Sequence, residues 1–247
     1  MLKKISKYYL IFVISLFNFQ LFSQNLKIIY SIESNFDIEK VHSELLRDNP
    51  GVQSKIMSEI TNQAHLIANQ STYSLEVTGF LSHFYLNSTL ENEAFDQNVN
   101  KLAQLMSDKG TFYQDAKSNR VFEKLSTNEV LIAYDFNFYQ WELTYETQEI
   151  LGFTCYKATV YYEDPHPMTG AAIPREITVW YAPDLPAYFG PQGFAGLPGL
   201  ILKKCQKGNC MVATEIKEHT NKISLPKGEV LTREEFQKRL SSTKIGF

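Results

Sequence analysis

The 247 residues are 44% hydrophobic and 21% charged, an ordinary globular balance that suits one well-buried domain, or at most two small ones. A net charge of -3 without basic runs argues against a nucleic-acid binder and against electrostatic attachment to anionic lipid. The 14 Tyr and 17 Phe favour half-buried pleated surfaces and tilt the expectation towards sheet.

The N-terminus reads as an export signal over residues 1–23. Lys3, Lys4 and Lys7 give a positive start, Tyr8 to Phe22 is largely apolar, and Ser23 offers a small residue for cleavage. The apolar run falls short of the roughly 20 residues a membrane span needs, and no second run of spanning length follows. Removal of the segment leaves 21 Lys+Arg against 27 Asp+Glu, so the expected mature domain, 24–247, carries -6. Its expected location is secreted or periplasmic.

Leu26, Ile28, Tyr30 and Ile32 alternate with polar residues and predict a strand. Asp37 can cap a helix towards Leu46, with a break at Asn49-Pro50-Gly51. Val52, Ile56, Ile60, Ala64 and Ile67 recur at helical spacing. Strands are expected around Tyr73–Val77 and Phe80–Leu86, and a short amphipathic helix at Val99–Met106 inside a polar stretch. From Thr111 the pattern is nearly all sheet. Strands are expected at Thr111–Gln114, Arg120–Leu125, Val130–Phe136, Gln140–Glu146, Phe153–Tyr162, Glu176–Tyr181, Leu200–Cys205 and Cys210–Ile216. In the fourth of these Trp141, Leu143 and Tyr145 share a face, and Glu163 to Arg175 reads as a long Pro-containing connection. Short polar turns favour antiparallel pairing in an up-and-down order. A helix closes the chain: Thr232 and Glu235 form a capping box, Leu231 and Phe236 a hydrophobic staple, and Phe236 with Leu240 a docking face.

Cys205 and Cys210 flank Gln206-Lys207-Gly208-Asn209, and a four-residue hairpin loop places them opposite each other for a disulfide. Cys155 reads as a buried small hydrophobe.

The run Trp180 to Leu202 is the most distinctive part of the chain. Pro183, Pro186, Pro191 and Pro198 fix φ, and Gly190, Gly193, Gly196 and Gly199 permit close backbone approach. Tyr188, Phe189, Phe194, Leu197 and Leu200 sit among them, so the expected product is a rigid, apolar loop. Such a loop is either a buried plug closing one end of the sheet or an apolar lip around a cavity or partner site. The Gly spacing lacks the Lys-Ser/Thr of a phosphate loop.

In order and spacing, Trp141, Ile150 to Ala158 around Cys155, Trp180-Tyr181-Ala182-Pro183, Gly190-Pro191 and Gly196 to Ile201 resemble the signature of the GLPGLI family of secreted bacterial proteins, whose activity is not established. At a looser level the strand pattern is similar to periplasmic lipoprotein carriers. That likeness implies a single α+β domain in which a curved antiparallel sheet, a half-barrel, packs against a few helices.

Chemical motifs are sparse. His42, His65, His83, His166 and His219 show no i,i+4 zinc spacing. Glu163, Asp164 and His166 read as incidental charges of a solvated loop, and Glu142, Glu146 and Glu149 as a solvated strand face. No nucleophile elbow is present. Neither a catalytic residue nor a cofactor nor a metal site is expected. The sequence therefore points to a non-enzymatic, secreted or periplasmic protein that binds an apolar small molecule or a partner segment on the concave face of the sheet. The candidate binding residues are Trp141, Trp180, Tyr181, Tyr188, Phe189, Phe194, Leu197 and Leu200. One alternative is an interaction module of the cell envelope with a dry core and no cavity; a hydrolytic or metal-dependent enzyme ranks third.

Overall fold

A computed structural model describes residues 25–34, 51–87, 97–107, 110–125, 130–165, 171–185 and 187–242. The proposed export signal, the helix expected from Asp37, His42, His166 and Pro186 lie outside the described residues.

Twelve strands form one open, antiparallel-rich sheet. They are β1 (Leu26–Ser34), β2 (Thr72–Thr78), β3 (Leu81–Leu86), β4 (Thr111–Asp115), β5 (Arg120–Lys124), β6 (Leu131–Asp135), β7 (Glu142–Ile150), β8 (Phe153–Pro165), β9 (Ala172–Ala182), β10 (Leu200–Gln206), β11 (Asn209–Glu218) and β12 (Val230–Thr232). Among the described residues three helices accompany them: α1 (Val52–Asn69), α2 (Gln97–Ser107) and α3 (Arg233–Ser242). The spatial order is β12-β6-β5-β4-β3-β2-β1-β11-β10-β9-β8-β7. Thus β2–β6 and β7–β11 are two up-and-down meanders, and β1 zips them together by pairing with β2 on one side and β11 on the other. The simple up-and-down order holds within each meander and breaks at the long step from β6 to β7, which lie far apart in the sheet.

The core forms because one face of nearly every strand is apolar. Ile28 and Tyr30 of β1 continue into Leu75 of β2, Phe84 of β3, Phe112 of β4 and Val121 of β5, and all belong to one buried cluster with Val179, Ile201 and Ala213 of the other meander. The sheet bends far enough for distant strands to meet through side chains. Tyr139, just after β6, lies 5.2 Å from the Tyr162 ring of β8, and Phe138 lies 6.4 Å from it. A smaller cluster of Ala64, Ile67, Val99 and Ala103 joins α1 to α2. The pair is anchored to the sheet by the Tyr73 hydroxyl, which donates to the Ser107 carbonyl at 2.8 Å.

Three local expectations need correction. The connection expected from Glu163 to Arg175 is largely strand, since β8 runs to Pro165 and β9 starts at Ala172. The β10–β11 hairpin has a two-residue tip, because Gln206 pairs with Asn209 and leaves only Lys207 and Gly208. Both have positive φ (50° and 80°), which matches the twist of a tight hairpin. Finally, β7 starts at Glu142, and its register slips between Leu143 and Thr147. Trp141, just before the strand, packs partly buried against the core cluster while Leu143 and Tyr145 face water, Tyr145 fully exposed.

The disulfide is present. Cys205 and Cys210 are directly opposite in the ladder and bonded, with Cα atoms 4.1 Å apart. Cys155 is free and buried, and burial pushes its thiol up to about 11, so it carries little thiolate.

Candidate functional site

The hexapeptide loop occupies the hollow of the bent sheet. Leu197, Leu200 and Ile201 are 2%, 0% and 0% exposed, while Gly196 and Pro198 between them face outward. The loop knits itself first. Leu200 N–H donates to the Leu185 carbonyl (3.1 Å), Ile201 N–H to that of Phe189 (3.0 Å) and Gly196 N–H to that of Tyr188 (3.2 Å). Side chains from several elements then hold three further carbonyls. Tyr30 of β1 donates to the Ile201 carbonyl at 2.6 Å. Gln114 of β4 donates to that of Phe194 at 3.1 Å and is itself held by Ser82 of β3 at 2.6 Å. Trp141 donates to that of Ala195 at 2.8 Å. A buried backbone carbonyl without such a partner is costly, so these bonds fix where the loop sits.

Both glycines of the hexapeptide are required. Gly196 has φ +86°, a conformation that side chains rarely adopt. A Cβ on Gly199 would lie 2.3 Å from the Ala182 carbonyl oxygen of β9.

The loop leaves part of the hollow unfilled. A cleft of about 420 Å³ remains, lined by Phe112 and Tyr134 of the first meander, Phe194 of the loop, Tyr162 of the second, and Arg233, Phe236 and Gln237 of α3. Its polar lining brings together residues far apart in sequence: Arg175, Gln192, Lys204, Gln206 and Arg233. The Arg233 guanidinium lies 4.1 Å from the Tyr134 ring and 4.5 Å from that of Phe138. The Lys204 ammonium lies 5.4 Å from the Phe194 ring and donates to Gln206 at 3.2 Å. Such placements let a cation favour the negative face of a ring. Burial raises the Tyr134 phenol well above its usual range, so it stays neutral. A 280 Å³ hollow adjoins the cleft and shares Arg175, Gln192, Lys204 and Gln206. A 720 Å³ hollow shares Tyr162, Arg175 and Gln206 with the cleft and adds Glu163, Pro174, Glu176 and Lys207.

Among the sequence candidates, Phe194 lines the cleft. Phe189, Leu197, Leu200 and Tyr181 are buried in the core, and Trp141 and Trp180 pack against it partly buried. Trp180 is on the face of β9 opposite Tyr181, and Tyr188 is 46% exposed. Sequence reasoning missed Lys204, and its signal is subtle. Register slips between Ile201 and Lys203, which makes Leu202 the extra residue and aligns Lys204 with inward-facing Val179. Among the described residues no three His, Cys, Asp or Glu converge on a metal-sized site.

Residues 164–203, from the end of β8 to the middle of β10, match the family model described as a protein of unknown function, Porph_ging. The segment is that of the GLPGLI family. Two solved structures of PNGF-II, in the C2 and P21 space groups, are similar to the fold of this chain with TM-scores of 0.51 each. They are 18% and 17% identical, over 90% of this chain in both cases. The chain spans only about a third of their length, 33% and 34%. No curated protein matches it.

Proposed function

We propose that this chain is a secreted or periplasmic binding protein without catalytic activity, and that its ligand seat is the aromatic cleft between the GLPGLI loop, the two meanders and α3. One observation carries the reading. The loop plugs only part of the bent sheet, and the 420 Å³ remaining falls in the range of roughly 300–1,000 Å³ typical of small-molecule sites. The occupant is an apolar small molecule or an apolar segment of a partner. In this reading the sheet acts as a half-barrel of the lipoprotein-carrier kind, with the loop as its floor. Export rests on the N-terminal sequence, and it agrees with the disulfide and with the finding that no described helix is long and apolar enough to cross a membrane.

The test is fluorescence titration with N-phenyl-1-naphthylamine, a neutral apolar probe. The mature protein is expected to brighten it saturably. Gln237→Trp, which places an indole in the cleft from the partly buried side of α3, is expected to block the signal while leaving the melting temperature nearly unchanged. Absence of binding in the folded wild type would falsify the proposal.

A second reading, an envelope interaction module, is favoured by the burial of Leu197 and Leu200. It predicts no probe binding and recovery of an envelope protein by cross-linking.

A further inference from the structure

We infer that the cleft selects an anionic ligand: an apolar body carrying a single negatively charged head, as in an acyl or aryl acid. This rests on the binding role proposed above and deepens it.

The charge of the site opposes the charge of the chain. The protein as a whole is acidic, at -3. Yet the residues lining the cleft include three cations, Arg175, Lys204 and Arg233, against one carboxylate, Glu123. That excess is concentrated, since Arg175 and Lys204 also border the adjoining hollow. Lys204 is the telling residue. It is 9% exposed on an inward position of β10, where the neighbouring inward residues Val179 and Met211 are apolar. Burying a charged side chain is costly unless it is hydrogen-bonded or paired, and the partners that hold the Lys204 head, the Gln206 amide and the Phe194 ring, are themselves part of the cleft lining. The bulge at Leu202 turns Lys204 inward, whereas an unbroken alternation would turn it out. Gln192 and Gln206 add amide groups able to donate to the same head. Opposite them, Phe112, Tyr134 and Phe194 offer ring surface for an apolar body. A cationic pocket with low-dielectric walls concentrates field on an anion far more than the same charges do at an open surface.

A matched pair of probes separates the head from the body. 1-Anilinonaphthalene-8-sulfonate and N-phenyl-1-naphthylamine share the same aromatic skeleton, and only the first carries a charge. The intact mature protein is expected to bind the sulfonate about tenfold or more tightly than the neutral probe, as one charge-assisted contact implies. Lys204→Met keeps the volume and is expected to erase that preference, with an unchanged circular dichroism spectrum reporting that the variant is folded. Arg233→Gln, at a partly exposed helix position, is the second variant and is expected to shrink the preference. Equal affinities for the two probes in the wild type overturn the anion inference and leave the binding proposal standing. A preference that survives both substitutions overturns it too, because the anion is then held elsewhere. Failure of both probes removes both readings.

Discussion

Glu76 shows how this sheet handles a charge at a buried strand position. The side chain is 6% exposed on β2, where burial opposes ionisation, yet hydrogen bonds more than offset that cost. Lys27 of β1 donates to it at 3.0 Å, Tyr85 of β3 at 2.9 Å and Asn221 at 3.3 Å, and together they hold its carboxyl below the usual range. A carboxyl with a lowered folded-state pKa stabilises the fold at pH values above the ordinary carboxylate range. That stabilisation is lost as pH falls through the lowered value. Glu76→Gln is therefore expected to destabilise the protein at neutral pH and to flatten the loss of stability as the pH falls through and below the ordinary carboxylate range, as followed by urea denaturation. A variant with the same pH slope as the wild type would remove Glu76 from the account. Gly199 gives a second test. An added methyl would meet the Ala182 backbone, which cannot swing aside, so Gly199→Ala is expected to cost about 1–3 kcal/mol in chemical denaturation.

Among the elements, the β10–β11 hairpin can be checked most directly. Its disulfide closes a short loop, so loss of the bond through a Cys205→Ser/Cys210→Ser pair is expected to cost only about 2 kcal/mol, seen as a modest fall in melting temperature with the fold retained. A change near zero would mean that the two-residue turn alone sets the register. This hairpin was legible in the sequence because two alternating runs flank a polar, Gly-containing tip. The capping box of α3 was legible as well: Glu235 N–H donates to the Thr232 hydroxyl at 3.1 Å, and the Thr232 N–H returns a bond at 2.8 Å. Signals of that kind are local, and most of the strands carry them. The sequence concealed whatever depends on distant partners. β12 is three residues long, too short for a period, and exists because β6 offers it a parallel edge. The Leu202 bulge inverts a local alternation, so the inward turn of Lys204 could not be read from spacing. The cleft is an assembly of such distant pieces. Its aromatic content was foreseeable, whereas its cationic side was not.

At the scale of the whole molecule, the loop couples the meanders. Phe194 lies 4.6 Å from the Tyr139 ring and 6.1 Å from that of Trp141, while its carbonyl is held by Gln114. The two meanders are therefore expected to unfold together, with far-ultraviolet and near-ultraviolet circular dichroism tracing one coincident transition. Phe194→Ala is expected to move that single transition down by about 3–5 kcal/mol without splitting it. Two resolved transitions would show instead that each meander is an independent unit.

The central position of β1 has a consequence for how the protein is made. Leu26 pairs with Val77, early in the chain, and also with Glu218, near its far end. If the polypeptide crosses a membrane amino end first, the earliest strand to emerge finds one companion early and must wait for the other until nearly everything else has followed. During that interval a hydrogen-bonding rim stays open to strangers. Biogenesis of this protein should then depend on a holding chaperone at the exit side, more than its finished stability alone would suggest.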